Sequence, residues 1–319
     1  MSLGERLQRL DHRQQATRGV RFIAAIYKKF QDDQGAQLAA LISYYAFVSL
    51  FPLLLVFVTI LGFVLQGDPS LQEKILSGTL KEFPILSETL DPKSIKGSPV
   101  ALVIGVVGAL LAGMGIVNAS RTAFDRIWAV PFKHRASFFG SRLKNLAMLA
   151  ILGTLAIAAT VVGGFVGSAS HGTVTVAASI VLSLVGNFVL FLLAFRLLTS
   201  TSPPWRRLIP GAVTAAIFWQ LLQSLGGLYV SHTLKHTKPL YGIFAAVLGL
   251  LAWLYLGGQL TILAAEVNVV KYRKLWPRSF FADPLLEADR RALTDTAEIE
   301  ERVEQEKVEV SFDDGPQRG

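Results

Sequence analysis

The amino-acid sequence predicts an all-α, polytopic membrane protein with six transmembrane helices and both termini in the cytoplasm. Three observations lead there. Apolar residues fill 52% of the 319 positions and charged residues only 17%, with a mean hydropathy of +0.46. The charges fall into short clusters separated by long charge-free runs between residues 38 and 265, as in a polytopic membrane protein. Lys and Arg also alternate by loop: twenty lie in four segments on one side and six in the three loops opposite, the signature of cytoplasmic against outer loops.

The elements follow in order. Residues 1–37 form a polar cytoplasmic N-terminus without the apolar core of a signal peptide, so the spans themselves are expected to direct insertion. Within it, Val20, Ile23, Tyr27 and Phe30 share one helical face while Lys28 and Lys29 lie elsewhere. This predicts an interfacial helix on the membrane, with an amphipathic helix packed on the bundle as the alternative. The stretch 38–65, LAALISYYAFVSLFPLLLVFVTILGFVL, runs 28 residues without a charge. A helix of that length reaches about 42 Å, more than the roughly 30 Å hydrocarbon core. Pro52 lies inside it and removes the hydrogen bond to the Val48 carbonyl. That carbonyl then needs a neighbouring helix, a hydroxyl such as Ser49, or a buried water.

A polar loop covers 66–98, and a second span runs over 99–120. Ala101, Gly105, Ala109 and Gly113 recur there every four residues, a spacing that lets another helix approach closely. Gly113-Met114-Gly115 lacks the βαβ context of a dinucleotide fingerprint. The loop 121–144 is basic and aromatic. The 51 charge-free residues from 145 to 195 are too long for one span. Glycines 163, 164 and 167 divide them into two, at 145–166 and 174–196. The fifth and sixth spans are 208–231 and 240–266, and the six together make one domain over 38–270. Residues 271–319 are a cytoplasmic tail, basic and then acidic. Residues 283–319 carry 5 Lys/Arg against 12 Asp/Glu, which predicts a mobile, partly helical acidic segment. The absence of cysteine excludes disulfides, thiolate metal sites and thiol nucleophiles.

Five stretches in one order resemble a known family. They are LAALISYYAFVSLFPLLL at 38–55, RTAFDRIW at 121–128, WRRLIPGAVTAAIFWQ at 205–220, Tyr229 with Tyr241-Gly242, and AAEVN at 264–268. Together they are similar to the YihY/BrkB family of bacterial inner-membrane proteins, once labelled ribonuclease BN, over about Val20 to Lys274. Asp125 stands where that family commonly has Asn, and Ala265 where it commonly has Gly. The resemblance implies six spans in a bacterial plasma membrane and supplies no agreed biochemical activity.

Glu266 is the sharpest candidate residue. It and Asp125 are the two acids between Asp91 and Asp283. An ionisable group at the edge of hydrocarbon is expensive and usually faces a partner or a cavity. A polar path would run through Glu266, Asn268, Gln259, Gln220, Asn187 and Asn118. Against this, single amides often only glue helices together. Likewise Glu266 has a plainer role as a structural ion pair with Arg121, Arg126 or Arg196. Asp125 and Arg121, four residues apart, read as a surface pair. His232 and His236 share a face but lack a third ligand, so no metal site is expected.

No nucleotide-binding or hydrolase motif is present, and no cofactor is expected. The acids and histidines of the cytoplasmic loops are scattered, which argues against an enzyme and against a ribonuclease. The expected partners are membrane lipids, with anionic headgroups at the cytoplasmic face, rather than nucleic acid; homo-oligomerisation is left open. The favoured role is a transporter or permease for a lipid or small solute, built on polar groups and Pro/Gly-interrupted helices. The alternative is a non-transporting scaffold that docks proteins or anionic lipids. A cavity reaching Glu266 or the amides distinguishes the first from the second.

Overall fold

In the computed structural model, the described residues are 17–64, 99–135, 144–155, 173–233, 239–279 and 285–313. All regular structure among them is helical. The chain forms α1 (Arg18–Asp32), α2 (Gly35–Val64), α3 (Pro99–Ile127), α4 (Lys144–Leu155), α5 (Thr173–Leu197), α6 (Trp205–Thr233), α7 (Pro239–Tyr272) and α8 (Glu287–Glu298). Four of these hold stretches long and apolar enough to cross a membrane: Gly35–Val56, Pro99–Ile127, Ile180–Leu197 and Val247–Tyr272. The expected loop at 66–98 and the break around Gly163 lie outside the described residues.

α7 is the hub. It packs against α1, α2, α3 and α6, while α2 lies along α3 and α5 along α6. The best-buried apolar residues gather at one end, where α1, α3, α5 and α7 finish and α2 and α6 begin. Ala39, Ile127, Phe195, Leu208, Ile262 and Val269 are all essentially inaccessible there. Away from that end the outer faces are apolar and exposed: Val100, Val103, Val107 and Leu111 on α3, Phe244 and Leu248 on α7. Apolar surface on that scale suits lipid rather than water.

Close helix approach explains part of the small-residue pattern of α3. A Cβ at Gly105 would lie 2.9 Å from the Val56 side chain on α2, whereas one at Gly113 would meet Leu149 on α4 at 2.7 Å. The two glycines thus serve different neighbours rather than one. Pro52 sits inside α2 as expected. The Ser49 hydroxyl, however, donates to Ala46 O at 2.7 Å and not to the Val48 carbonyl. The proton goes to the carbonyl three residues back, the local partner a serine reaches most easily in a helix.

At the best-buried end one expectation is corrected, that of a mobile tail. The faces of α1 are the reverse of an ordinary packed amphipathic helix. Val20, Ile23 and Tyr27 are 48–67% exposed, while Ala24, Ala25 and Lys29 are buried and Phe30 has left the exposed apolar face for the core. The acidic tail, expected to be mobile, is docked. Asp289 of α8 is inaccessible and accepts from Lys28 Nζ at 2.8 Å, Arg278 Nε at 2.7 Å, Ser279 N at 3.0 Å and Leu286 N at 3.2 Å. Arg278 also reaches Asp32 at 2.7 Å, and Arg273 pairs with Asp295 at 2.7 Å. Further on, Phe132 N and Lys133 N donate to Ile299 O and Glu301 O, and Lys133 Nζ meets Glu301 at 2.8 Å. The tail is ordered because its carboxylates meet cations that are fixed by other helices, a complementarity that composition alone does not reveal.

Burial by itself would raise the Asp289 carboxyl. The hydrogen bonds from Lys28, Arg278 and Ser279 outweigh it and hold the group below the usual aspartate range. A depressed pKa stabilises the docked state above the unfolded-state value, and that contribution is lost as pH falls through the folded-state value. Tail docking is therefore expected to persist through neutral pH and to fail only in acid below the ordinary Asp range. Asp289→Ala leaves Lys28 without its counter-charge and Arg278 with Asp32 alone, and should cost about 3–5 kcal/mol of the docked state. Limited proteolysis of residues 285–313, faster in Asp289→Ala than in wild type at pH 7, checks the assignment.

Candidate functional site

The charged centre of the molecule forms where α1 meets α7. Glu266 is fully buried on α7, three turns after Leu256 and one and a half before Tyr272. Its counter-charge is Lys29 of α1, whose Nζ lies 3.9 Å from Glu266 Oε2. The same ammonium pairs with Asp33, one residue past α1, and donates to Ile127 O at 3.2 Å. Lys29 and Asp33 are only 2% and 1% exposed, so all three groups are withdrawn from solvent. Both Glu266 oxygens and Asp33 Oδ1 accept no hydrogen bond among the described residues.

The charge arithmetic decides what this cluster does. Two carboxylates face one ammonium, which leaves one excess negative charge when both acids are ionised. An uncompensated charge in an apolar interior costs several kcal/mol. With both acids ionised the cluster lacks one positive charge, and a proton held between the Glu266 and Asp33 carboxyls would balance it. No ligand set of three or more His, Cys, Asp or Glu occurs among the described residues.

The partners expected for Glu266 are corrected. Arg121 Nη1 donates instead to Asn145 Oδ1 at 2.7 Å, tying α3 to the start of α4. Arg196 donates to the Ser202 and Pro203 carbonyls and lies over the Trp205 ring, 5.1 Å from its centroid. The Arg126 Nε is enclosed without an acceptor among the described residues. Asp125 makes no surface pair with Arg121 either. It is 3% exposed and accepts from both Ser200 N and Ser200 Oγ at 2.8 Å, fixing the α5–α6 turn. For Arg121 and Asp125, groups fixed on other elements displaced the neighbour four residues away.

None of the candidate amides hydrogen-bonds Glu266 among the described residues. Asn268 is the nearest in sequence: its Oδ1 accepts from Gly211 N at 2.6 Å, which joins α6 to α7. Only glycine fits at 211, because a Cβ would strike the Ala264 carbonyl and the Asn268 side chain. Gln259 lies about 10 Å further along α7 by helical rise. Asn187 is buried on α5, Gln220 is half-buried on α6 with an enclosed Oε1, and Asn118 is exposed on α3. The His232/His236 pair lies outside the described side chains. Sequence reasoning missed Lys29 and Asp33. Their signal was the KKFQDD run at 28–33, where two lysines precede two aspartates by one helical turn.

A helical bundle with lipid-facing apolar surfaces and a buried charged cluster at one end defines an integral membrane protein. Residues 26–279 match the family model for virulence factor BrkB, so the chain belongs to that family. It is 25% identical over 259 residues to the UPF0761 membrane protein ACIAD3168 of Acinetobacter baylyi, covering 77% of this chain and 61% of that one. The chain thus spans less than two thirds of that relative's length. It is 26% identical over 270 residues to the inner membrane protein YhjD of Escherichia coli, covering 77% and 80%. It is 25% identical over 273 residues to the ribonuclease-like protein YfkH of Bacillus subtilis, covering 79% and 96%. No solved structure matches.

The excess negative charge gives opposite expectations for the two sides of the cluster. Glu266→Gln leaves Lys29 balanced against Asp33 and should hold or raise the melting temperature in detergent. Lys29→Met leaves two buried carboxylates together and should lower stability by about 3–5 kcal/mol. Equal losses in both variants would contradict the charge assignment.

Proposed function

We propose that this protein is a transporter or permease-like protein of the bacterial inner membrane that moves a lipid or small solute, with the Lys29–Asp33–Glu266 cluster as its charged gate. One observation carries this: Glu266 is wholly buried at the end of a membrane span with both oxygens unpartnered among the described residues. A purely structural pair would be expected to close to hydrogen-bond distance, whereas this carboxylate is held ready to receive positive charge.

The proposed topology has six spans, α2 to α7, with both termini cytoplasmic. The basic loops support this orientation. The helix order supports the count: α4 starts beside Arg121 at the end where α3 finishes, and α5 ends there beside Asp125. We take anionic lipid headgroups as partners of this basic end and assign no catalytic role, cofactor or nucleic acid.

A scaffold role is the second reading, and the groove pattern favours it. Two surface grooves, of about 550 and 520 Å³, are not lined by Glu266. A gate that is closed accounts for the same pattern, since Glu266 then has no access to solvent.

Reconstitution distinguishes the two. Proteoliposomes would be assayed for dithionite-accessible fluorescent lipid and for uptake of labelled small solutes. Transport predicts flux above empty vesicles that falls at least about tenfold in Glu266→Gln, a loss of roughly 1.4 kcal/mol in transition-state terms. Flux equal to empty vesicles for every cargo, from correctly folded protein, would favour the scaffold.

A further inference from the structure

The groove of about 520 Å³ lies between α1, α6 and α7, in the size range of ligand sites. Phe22, Pro210, Thr214, Val267 and Trp276 line it, with Lys271 at its edge. Its walls are mostly apolar, and Lys271 is the one charged residue among them. Lys271 is exposed at the end of α7. The Arg21 guanidinium lies 4.9 Å from the centroid of the Trp276 ring, and its Nε is enclosed without an acceptor among the described residues. Arg206 is exposed one helical turn before Pro210 on the same face of α6.

None of these three cations is in an ion pair among the described residues, whereas Lys28, Lys29, Lys133, Arg273 and Arg278 all are. Arg206 also stands in the first turn of α6, where the helix dipole favours an anion over a cation. Below the rim, Ile209, Val213, Ile217 and Leu221 form an exposed stripe down α6 at four-residue spacing. The stripe and the Pro210–Thr214 wall of the groove lie on adjoining faces of α6, and Lys271 and Arg206 stand exposed at the same end of the bundle.

The geometry points to a binding site for one anionic phospholipid, its headgroup held by Arg21, Arg206 and Lys271 and an acyl chain lying in the groove and along the α6 stripe. The assignment rests on the proposed orientation, with this end in the cytoplasmic leaflet, and on anionic headgroups as partners there. It narrows a diffuse attraction to one site. Because Val267 lines the groove beside Glu266, the lipid would sit against the helix that carries the charged cluster.

The test is the melting temperature of the full chain in detergent, titrated with phosphatidylglycerol, with phosphatidylcholine of the same chains, and with glycerol 1-phosphate. A ligand that binds only the folded state raises the midpoint with concentration. The site predicts a rise with phosphatidylglycerol alone. Arg206→Glu combined with Lys271→Glu should lose most of that rise without changing the lipid-free midpoint, because both side chains are exposed and unpaired among the described residues. Thr214→Phe, which fills the groove and leaves the rim charges intact, should also lose it. Lys307→Glu on the tail should keep it.

A rise that survives in both groove variants would overturn the site while leaving anionic headgroups as diffuse partners. No preference for phosphatidylglycerol over phosphatidylcholine in wild type would overturn both. A rise with glycerol 1-phosphate alone would make the ligand a soluble phosphate and overturn the lipid assignment.

Discussion

Two adjacent lysines hold the ordered end of this molecule together. Lys28 reaches outward to Asp289 of the tail at 2.8 Å, and Lys29 reaches inward to Asp33 and Glu266. Successive residues on a helix point about 100° apart, so one short helix can bind two different partners with neighbouring side chains. α1 is thereby clamped between α7 on one side and the C-terminal segment on the other. Arg278 completes the arrangement by bridging Asp32 of α1 and Asp289 of α8. Removing either lysine leaves buried carboxylates without compensation, which makes α1 the element on which the charged end depends.

This clamp reconciles the lopsided charge of the chain. Residues 1–282 carry 26 Lys/Arg against 11 Asp/Glu, and the remainder carries 5 against 12. The acidic tail lies over Lys28, Lys133, Arg273 and Arg278, so much of the positive charge at this end is satisfied within the chain. Lys271, one of the cations outside these pairs, lines the groove between α1, α6 and α7. Along α7 the same helix carries a buried carboxylate, the amide that anchors α6, and the lysine at the groove edge, all within six residues from Glu266 to Lys271.

The helices were legible because lipid imposes simple requirements: long charge-free runs, with every backbone polar group satisfied internally. The runs at 38–65 and 99–120 became α2 and α3, although α3 continues through charged residues to Ile127. Glu266 was legible from its isolation among acids. Its partner was not, because Lys29 lies 237 positions away and lysines on a short amphipathic helix ordinarily face water. α1 was recognisable as a helix, but the inward turn of Lys29 was not. The Arg121–Asp125 spacing misled for a related reason. A four-residue pair is weak, and Asn145 and Ser200 supplied better hydrogen bonds from other elements. Composition misjudged the tail because disorder follows from charge only when no fixed opposite charge is near.

Hydrogen–deuterium exchange of α1 in the purified full chain tests the clamp most directly, since exchange reports the free energy of local opening. The two-lysine clamp predicts that the amides of 22–32 are protected at neutral pH to a degree comparable with the buried end of α7. It also predicts that Lys28→Met and Lys29→Met each accelerate exchange there while leaving α2 and α3 unchanged. Rapid exchange of α1 in wild type, or protection indifferent to both lysines, would contradict it.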